Sequence, residues 1–207
     1  MDTVVLLHGL WRSRWSMALP GLRLRAAGFR PVGITYPSRS QPIGALARHV
    51  ADRLPDPGDG RMHFLTHSLG GLVARSLIRA HRPRKLGRVV MLSPPNQGSA
   101  LARRLSGSRF LRAAAGPVGS VLTSGREEMA ALFGPIDFDL GIIVGDVPSR
   151  IGHGLGDPND GRVSLEEARV EGMKDLLVVP RHHAFIMNDA TVARQAAQFF
   201  RHGTFER

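Results

Sequence analysis

The chain has 207 residues and no cysteine, and its 28 Lys and Arg outnumber its 17 Asp and Glu, which gives a net charge of +11. This length favours one domain over residues 1–207, with a hydrophobic core large enough to need no cross-link. The absence of cysteine excludes disulfides, thiolate metal sites and a cysteine nucleophile. Hydrophobic residues at 43% and charged residues at 22% are globular values, which excludes a disordered chain, a collagen and a coiled coil.

The positive charge is almost wholly arginine, because Lys85 and Lys174 are the only lysines. The arginines are scattered and lack the interleaved aromatic residues that stack on nucleobases, so we expect a solvated surface and no nucleic-acid partner. No apolar run approaches the roughly 18 residues of a membrane span. Met1 leads directly into an apolar segment without a basic leader. We therefore expect a cytoplasmic protein, and a secreted form with its leader removed is the alternative.

Short apolar runs alternate with amphipathic stretches along the chain. The predicted strands are Thr3–Leu7, Arg30–Tyr36, Met62–Thr66, Arg88–Leu92, Leu140–Val144 and Leu176–Val179. The predicted helices are Trp15–Ala27, broken at Pro20–Gly21, then Ile43–Leu54, Leu69–Ala80 and Asp189–Phe200. This alternation predicts a parallel sheet covered on both faces, a three-layer α/β/α sandwich with its ligand site at the carboxyl ends of the strands. Residues 98–135 interrupt the alternation and predict short amphipathic helices that form a lid.

The strongest local motif is the stretch Phe64–Val73, in which an apolar strand, a tight turn with Ser68 at its apex and an apolar helix follow one another. This stretch resembles the nucleophile elbow of the α/β-hydrolase superfamily, in the branch of minimal bacterial lipases, esterases and inositol-deacylase-like proteins. Gly70 fits the motif, and Thr66 replaces its first glycine. The resemblance implies a reduced α/β-hydrolase fold with about six mainly parallel strands in the order 4-3-5-6-7-8, and Ser68 as the nucleophile.

The segment after the first predicted strand is similar to the oxyanion loop of lipases. His8 and Gly9 end that strand and Leu10 follows. The resemblance implies that the backbone N–H groups of Leu10 and Leu69 form the oxyanion hole, whereas we expect a structural role for the His8 side chain. Trp11 and Trp15 lie beside this loop in the sequence and are the expected substrate-binding residues.

The turn Gly156–Val163 follows the fifth predicted strand and looks like the Asn-Asp-Gly turn that carries the acidic residue in bacterial lipases. The resemblance assigns this role to Asp160. Asp157 fits a turn residue that bonds its own backbone. Asp146, at the end of the fifth strand, is the main competitor.

The general base is expected between the last strand and the terminal helix, where His182 and His183 stand side by side. The order His, small residue, two apolar residues matches His183–Ile186 better than it matches His182, so His183 is preferred and His182 stays open. No further His, Glu or Asp at ligand spacing accompanies this pair, and we therefore expect no metal.

Ser68, Asp160 and His183 in this order imply acyl transfer to water without a cofactor. We expect a carboxylesterase or lipase that cleaves small-molecule esters of apolar acyl groups. A thioesterase or acyltransferase with the same residues is one alternative, and a non-catalytic binding protein on this fold is another. Acyl chain length and oligomeric state stay open.

Overall fold

The computed structural model describes residues 1–109, 113, 115–149, 155–156 and 158–207. Its strands are β1 Thr3–Leu7, β2 Arg30–Ile34, β3 Met62–His67, β4 Leu86–Leu92, β5 Leu140–Gly145 and β6 Asp175–Val179. Its α-helices are α1 Ala18–Ala26, α2 Ile43–Ala51, α3 Leu69–His81, α4 Ala100–Leu105, α5 Val118–Thr123, α6 Arg126–Phe133, α7 Leu165–Ala168 and α8 Ala190–His202. Short 3₁₀ turns cover Arg14–Met17 and Ile186–Asn188.

The six strands form one sheet in the order β2-β1-β3-β4-β5-β6, and every neighbouring pair is parallel. When β1 is counted as the third strand of the superfamily fold, this is the predicted order 4-3-5-6-7-8. The arrangement therefore confirms the predicted reduced α/β architecture. Parallel pairing brings the carboxyl ends of β1, β3 and β4 to one edge, because Leu7 pairs with Thr66 and Thr66 pairs with Met91. Loops from distant parts of the sequence therefore meet at this edge.

Two hydrophobic layers enclose the sheet. Along β1, Val5 and Leu7 point to one face and Val4 and Leu6 to the other, as the two-residue repeat of a strand requires. Buried residues of α2 and α3 cover the first face, and those of α1 and α8 cover the second. The three-layer sandwich follows directly from these two sets of contacts.

The first predicted helix and the second predicted strand differ from the structure for identifiable physical reasons. The predicted break at Pro20–Gly21 is wrong, because α1 continues through both residues. Pro20 is the third residue of this helix, in the first turn, where backbone N–H groups have no acceptor within the helix. The second strand ends at Ile34 rather than Tyr36, because the Tyr36 N–H donates to the His8 imidazole instead of continuing the strand.

The stretch 98–135 contains the short helices α4, α5 and α6. Val118, Met129 and Phe133 are buried in the core shared with α2 and α3, so α5 and α6 are anchored to the body of the protein. The predicted residues Phe110 and Leu111 lie outside the described residues. In the part of the chain that the structure describes, no helix combines the length and apolar character needed to cross a membrane.

Candidate active site

Ser68 lies between β3 and α3 with φ 53° and ψ −122°. A positive φ is unfavourable for any residue other than glycine, and such strain persists only where the surroundings enforce it. The backbone is held because the Ser68 N–H donates to the Leu92 carbonyl oxygen at 2.9 Å and the Gly71 N–H donates to the Ser68 carbonyl oxygen at 2.9 Å. The half-buried Ser68 side chain consequently stands at the carboxyl edge of the sheet.

Strained backbone is concentrated at this edge. Among the described residues other than glycine, Trp11, Ser68 and Ser93 are those with a positive φ, at 61°, 53° and 46°. They follow the carboxyl ends of β1, β3 and β4 respectively. Because backbone strain gathers at functional sites, this clustering marks the sheet edge as the candidate site.

The helix after Ser68 approaches the sheet closely because two glycines begin it. A Cβ atom on Gly70 would lie 2.7 Å from the Leu7 carbonyl oxygen, and one on Gly71 would lie 3.1 Å from Met91 Sδ. Thr66, which stands where the motif has its first glycine, is fully buried in β3. Its hydroxyl lies 3.5 Å from the position of a Gly71 Cβ. This is an ordinary contact distance, so the bulkier Thr66 fits beside the start of α3.

Asp160 and His183 form a buried pair. His183 Nδ1 lies 2.7 Å from Asp160 Oδ2, and the exposed fractions of the two side chains are 7% and 0%. A second contact joins the backbones, because the His183 N–H donates to the Asp160 carbonyl oxygen at 2.9 Å. The paired carboxylate can only accept, so Nδ1 carries the proton and Nε2 is the basic nitrogen of the neutral ring.

The charged form of Asp160 is stabilised by several donors. Asp160 Oδ1 accepts hydrogen bonds from the N–H groups of Arg162 at 3.0 Å and Val163 at 2.8 Å. Burial alone raises the pKa of Asp160, but the hydrogen bond and charge of His183, with the Ser93 hydroxyl and the Val163 N–H, hold this pKa below its ordinary value. The carboxylate is therefore ionised at neutral pH.

The other candidates for the base and the acid do not form such a buried pair among the described residues. His182 is exposed, whereas its neighbour His183 is buried against Asp160. Asp146 is also exposed, and its backbone N–H donates to the Val179 carbonyl oxygen at 3.1 Å. Asp157 lies outside the described residues. Among the residues that the structure describes, the pairing of acid and imidazole at this edge is therefore Asp160 with His183.

The loop after β1 passes directly over the Ser68 turn. A Cβ atom on Gly9 would lie 3.3 Å from Ser68 Cβ, so Leu10 follows a residue in close contact with the turn. Leu69 is the first residue of α3, where N–H groups have no acceptor within the helix. Within the described residues, no hydrogen bond uses the N–H group of Leu10 or of Leu69.

His8 holds the neighbouring loops together, as expected. Its Nδ1 donates to the Gly9 carbonyl oxygen at 2.8 Å, and its Nε2 accepts from the Tyr36 N–H at 3.2 Å. The rings of His8 and Tyr36 stack with centroids 4.1 Å apart.

The two tryptophans are both exposed, Trp11 by 51% and Trp15 by 72%. The backbone N–H of Trp11 donates to Ser38 Oγ at 3.3 Å. Trp11 directly follows Leu10, whereas Trp15 lies on the outer surface in the 3₁₀ turn before α1.

Two further residues of this edge were missed by the sequence analysis. His67, the last residue of β3, lies 4.9 Å from His183 between ring centroids. Burial, followed by the charges of His183 and two arginines, puts the pKa of His67 well below its ordinary value, so its ring is neutral. Ser93 is fully buried, and its hydroxyl has no hydrogen-bond partner among the described residues but lies where it favours the charged form of Asp160, which lowers the pKa of that residue. Their positions directly before Ser68 and directly after β4 are the sequence signals that could have identified them.

The described residues contain no group of three His, Asp or Glu side chains that could hold a metal ion. The chemistry that the arrangement offers is that of a hydroxyl, an imidazole and a carboxylate, with two backbone N–H groups nearby.

Among the comparisons with known proteins, those with solved structures identify the fold of the chain. No protein-family model matches the chain. No curated protein matches it by sequence. Among solved structures, the mature form of the Bacillus licheniformis lipase BlEst2 is similar, with a TM-score of 0.80, 17% identity and coverage of 98% of this chain and 92% of the lipase.

Two further solved structures share the architecture. The metagenomic carboxyl esterase MGS0156 has a TM-score of 0.66 at 16% identity, over 89% of this chain and 65% of the esterase. A lipase-esterase related protein from Clostridium acetobutylicum has a TM-score of 0.66 at 12% identity, over 96% of this chain and 94% of that protein. The chain has the α/β-hydrolase fold of these lipases and esterases, as the sequence predicted.

Proposed function

We propose that this protein is a serine hydrolase that cleaves carboxylic esters through an acyl-enzyme intermediate. The observation that carries the proposal is the buried pair of Asp160 and His183, 2.7 Å apart, at the same sheet edge as the strained Ser68. A carboxylate that orients an imidazole, at the sheet edge that also carries a strained serine, is typical of sites that activate a hydroxyl nucleophile. The fold shared with lipases and esterases supports the proposal but does not establish it.

The reaction begins with attack of Ser68 Oγ on the ester carbonyl carbon, while His183 Nε2 takes the hydroxyl proton. Asp160 accepts the Nδ1–H hydrogen bond, which fixes the tautomer and stabilises the imidazolium that forms. The N–H groups of Leu10 and Leu69 donate to the developing oxyanion. In comparable enzymes, loss of one such donor lowers kcat by about 10²- to 10³-fold.

The intermediate then collapses. The bond between the carbonyl carbon and the alkoxy oxygen breaks, and His183 gives its proton to the leaving alcohol. Water attacks the acyl-Ser68 ester, again with His183 as base, and the carboxylic acid and the free serine are released. Apart from the ester and water, every group in these steps belongs to the chain, so the proposed mechanism uses no cofactor.

The expected substrate is an ester with an apolar acyl group. Trp11, which is 51% exposed, lies next to the proposed oxyanion donor Leu10 and offers an apolar surface there. A thioesterase or an acyltransferase uses the same three side chains, so the acceptor and the leaving group have to be determined by assay.

The test is hydrolysis of p-nitrophenyl esters from acetate to palmitate, with acyl-coenzyme A thioesters in parallel, by the wild type and by Ser68→Ala. We expect ester hydrolysis that is lost in the variant. Preferential thioester cleavage would assign the same machinery to a thioesterase. Absence of turnover on all substrates by folded wild-type protein would overturn the proposal in favour of a binding protein.

Two adjacent histidines provide a matched control. His183→Ala removes the ring that contacts Asp160, whereas His182→Ala changes an exposed neighbour. We expect the first variant to lose kcat by about 10⁴-fold or more and the second to keep it. Equal activities of the two variants would exclude His183 as the base.

A further inference from the structure

An exposed apolar surface borders the candidate site. Trp11, Trp15, Leu19, Leu22 and Phe185 are 51%, 72%, 40%, 63% and 63% exposed; we call these five residues the apolar face. The face includes both tryptophans of the chain. Large exposed apolar side chains are common singly, but a group of them marks a surface that interacts with something.

The apolar face is built mainly on the segment between β1 and β2. Leu19 and Leu22 lie three residues apart on the same side of α1. Trp15 precedes them in the 3₁₀ turn, and Trp11 lies in the turn after β1. The opposite side of α1 is buried, through Pro20, Gly21 and Leu24. The exposed side chains thus point away from the core.

Phe185 joins the face from the loop that carries His183. Arg12 Nη2 donates to the Ala184 carbonyl oxygen at 3.1 Å, and Arg23 donates to the Asn188 carbonyl oxygen. These two contacts hold the loop after β6 alongside the 3₁₀ turn and α1. Since Trp11 follows Leu10 and Phe185 lies two residues after His183, the face adjoins both the proposed oxyanion loop and the proposed base.

The segment that carries four of these five residues has charge of one sign. Residues 3–51 contain no Asp or Glu and seven arginines, at positions 12, 14, 23, 25, 30, 39 and 48. The Arg14 guanidinium lies over the Trp15 ring, 5.0 Å from its centroid, so a cation and an exposed indole are combined at one point. An apolar surface whose own segment is rich in arginine and free of acidic residues fits a partner with an apolar interior and an anionic boundary.

We propose that the apolar face docks the protein onto an anionic lipid surface. Tryptophan favours the boundary between hydrocarbon and water, leucine and phenylalanine enter the hydrocarbon, and arginine binds lipid phosphates. A nucleic acid gives exposed Leu19 and Leu22 no apolar environment. A second copy of the chain brings two acid-free arginine segments together, and their like charges repel.

Trp11 and Phe185 lie at the end of this face near the proposed oxyanion loop and the proposed base, so docking brings the Ser68 end of the sheet close to the lipid. If the proposed ester hydrolysis is correct, its substrates are then esters presented within the lipid surface rather than dissolved monomers. This extension depends on the proposed function, whereas the docking itself does not. Binding is therefore tested on Ser68→Ala, which keeps the face and lacks the proposed nucleophile.

The experiment uses intrinsic tryptophan fluorescence and co-sedimentation of Ser68→Ala with two kinds of vesicle, phosphatidylcholine alone and phosphatidylcholine mixed with phosphatidylglycerol. Both tryptophans of the protein belong to the face, so the emission reports directly on its environment. We expect a blue shift and co-sedimentation with the vesicles that contain phosphatidylglycerol, both weakened by salt.

A paired set of variants makes the test specific. Adding Trp15→Ser and Leu22→Ser should weaken binding to the anionic vesicles by roughly tenfold or more. Adding Leu132→Ser, which changes a 44% exposed leucine of α6 on the other side of the sheet, should leave binding unchanged. Loss of binding in both variants would show that the face is not specific.

Three other outcomes would overturn the proposal. They are the absence of a blue shift and of co-sedimentation with anionic vesicles, binding of duplex DNA in preference to these vesicles, and a fluorescence shift that depends on protein concentration alone. The second outcome would indicate a polyanion partner and the third a second copy of the chain. Vesicle binding by Ser68→Ala without ester hydrolysis by the wild type would retain docking and reject the proposed function.

Discussion

The His67 imidazole donates a hydrogen bond from Nε2 to the backbone carbonyl oxygen of His183 over 3.0 Å. A carbonyl only accepts, so Nε2 carries the proton and Nδ1 is unprotonated. Within the described residues, Nδ1 has no hydrogen-bond partner, and it lies 2.9 Å from the position of a Gly9 Cβ. The His67 ring therefore contacts the Ser68 turn, the loop of the proposed base and the proposed oxyanion loop.

This contact predicts that His67 positions the loop of His183. His67→Phe keeps a ring but cannot donate, so a buried carbonyl loses its partner, at a cost of about 1–3 kcal/mol. We expect kcat for ester hydrolysis to fall by about tenfold to a hundredfold with little change in KM. His67→Gln, whose amide N–H can reach the same carbonyl, should recover part of the loss. Full activity of His67→Phe would contradict a positioning role.

Buried histidines predict that the protein loses stability in mild acid. Burial is the largest cause that lowers the pKa values of His8, His63 and His67. Below the ordinary value of 6.5, the unfolded chain binds protons that the folded chain excludes. The stabilisation from these neutral rings is complete above this pH, and it is lost as the pH falls toward the lowered values.

Urea unfolding between about pH 7.5 and about pH 5.5 measures this effect, with a maximal slope per histidine of about 1.4 kcal/mol for each pH unit. We expect the free energy of unfolding to decrease with acidification. The slope should be smaller in His67→Gln, which removes one of the three groups. A free energy of unfolding that stays constant or rises as the pH falls from about 7.5 to about 5.5 would exclude neutral buried histidines.

The close approach of α3 to the sheet predicts opposite effects of the same substitution at two helical glycines. In Gly70→Ala the new Cβ lies 2.7 Å and 2.9 Å from the carbonyl oxygens of Leu7 and His8, so backbone must move, at a cost of about 1–3 kcal/mol. Gly44, in α2, has nothing within 4 Å of such an atom, and Gly44→Ala should stabilise by about 0.5 kcal/mol. Thermal unfolding and esterase assays measure both. Tolerance of Gly70→Ala without loss of stability or activity would contradict the close contact between helix and strand.

The architecture was accessible from the sequence because its signals are local. Short apolar runs define the strands, and β1, whose run is followed by His8 and Gly9, has the predicted bounds Thr3–Leu7. The end of β2 was not accessible, because the Tyr36 N–H bonds to His8, 28 positions away in the chain. The continuation of α1 through Pro20 depends on where the helix begins, which the 3₁₀ turn shifts to Ala18.

The candidate site was only partly accessible from the sequence. The motif around Ser68 lies in one contiguous stretch, whereas the proximity of Asp160 to His183 rather than His182 depends on the path of two loops. The backbone contact between His183 N–H and the Asp160 carbonyl oxygen sets that register. The motif assigns no role to His67 or to Ser93; both are buried, and His67 also contacts the His183 ring.

The residue that departs from the elbow motif gives the last prediction. Thr66 is fully buried, and its hydroxyl has no hydrogen-bond partner among the described residues. A buried hydroxyl without a partner costs about 1–3 kcal/mol, so Thr66→Val should raise the free energy of unfolding by about 1 kcal/mol. Thr3 is equally buried, but its hydroxyl accepts from Arg30 Nε at 3.1 Å. Thr3→Val should therefore lower the free energy of unfolding by about 1 kcal/mol. Urea titration of both variants provides the comparison, and equal destabilisation would show that the Thr66 hydroxyl is hydrogen-bonded in solution.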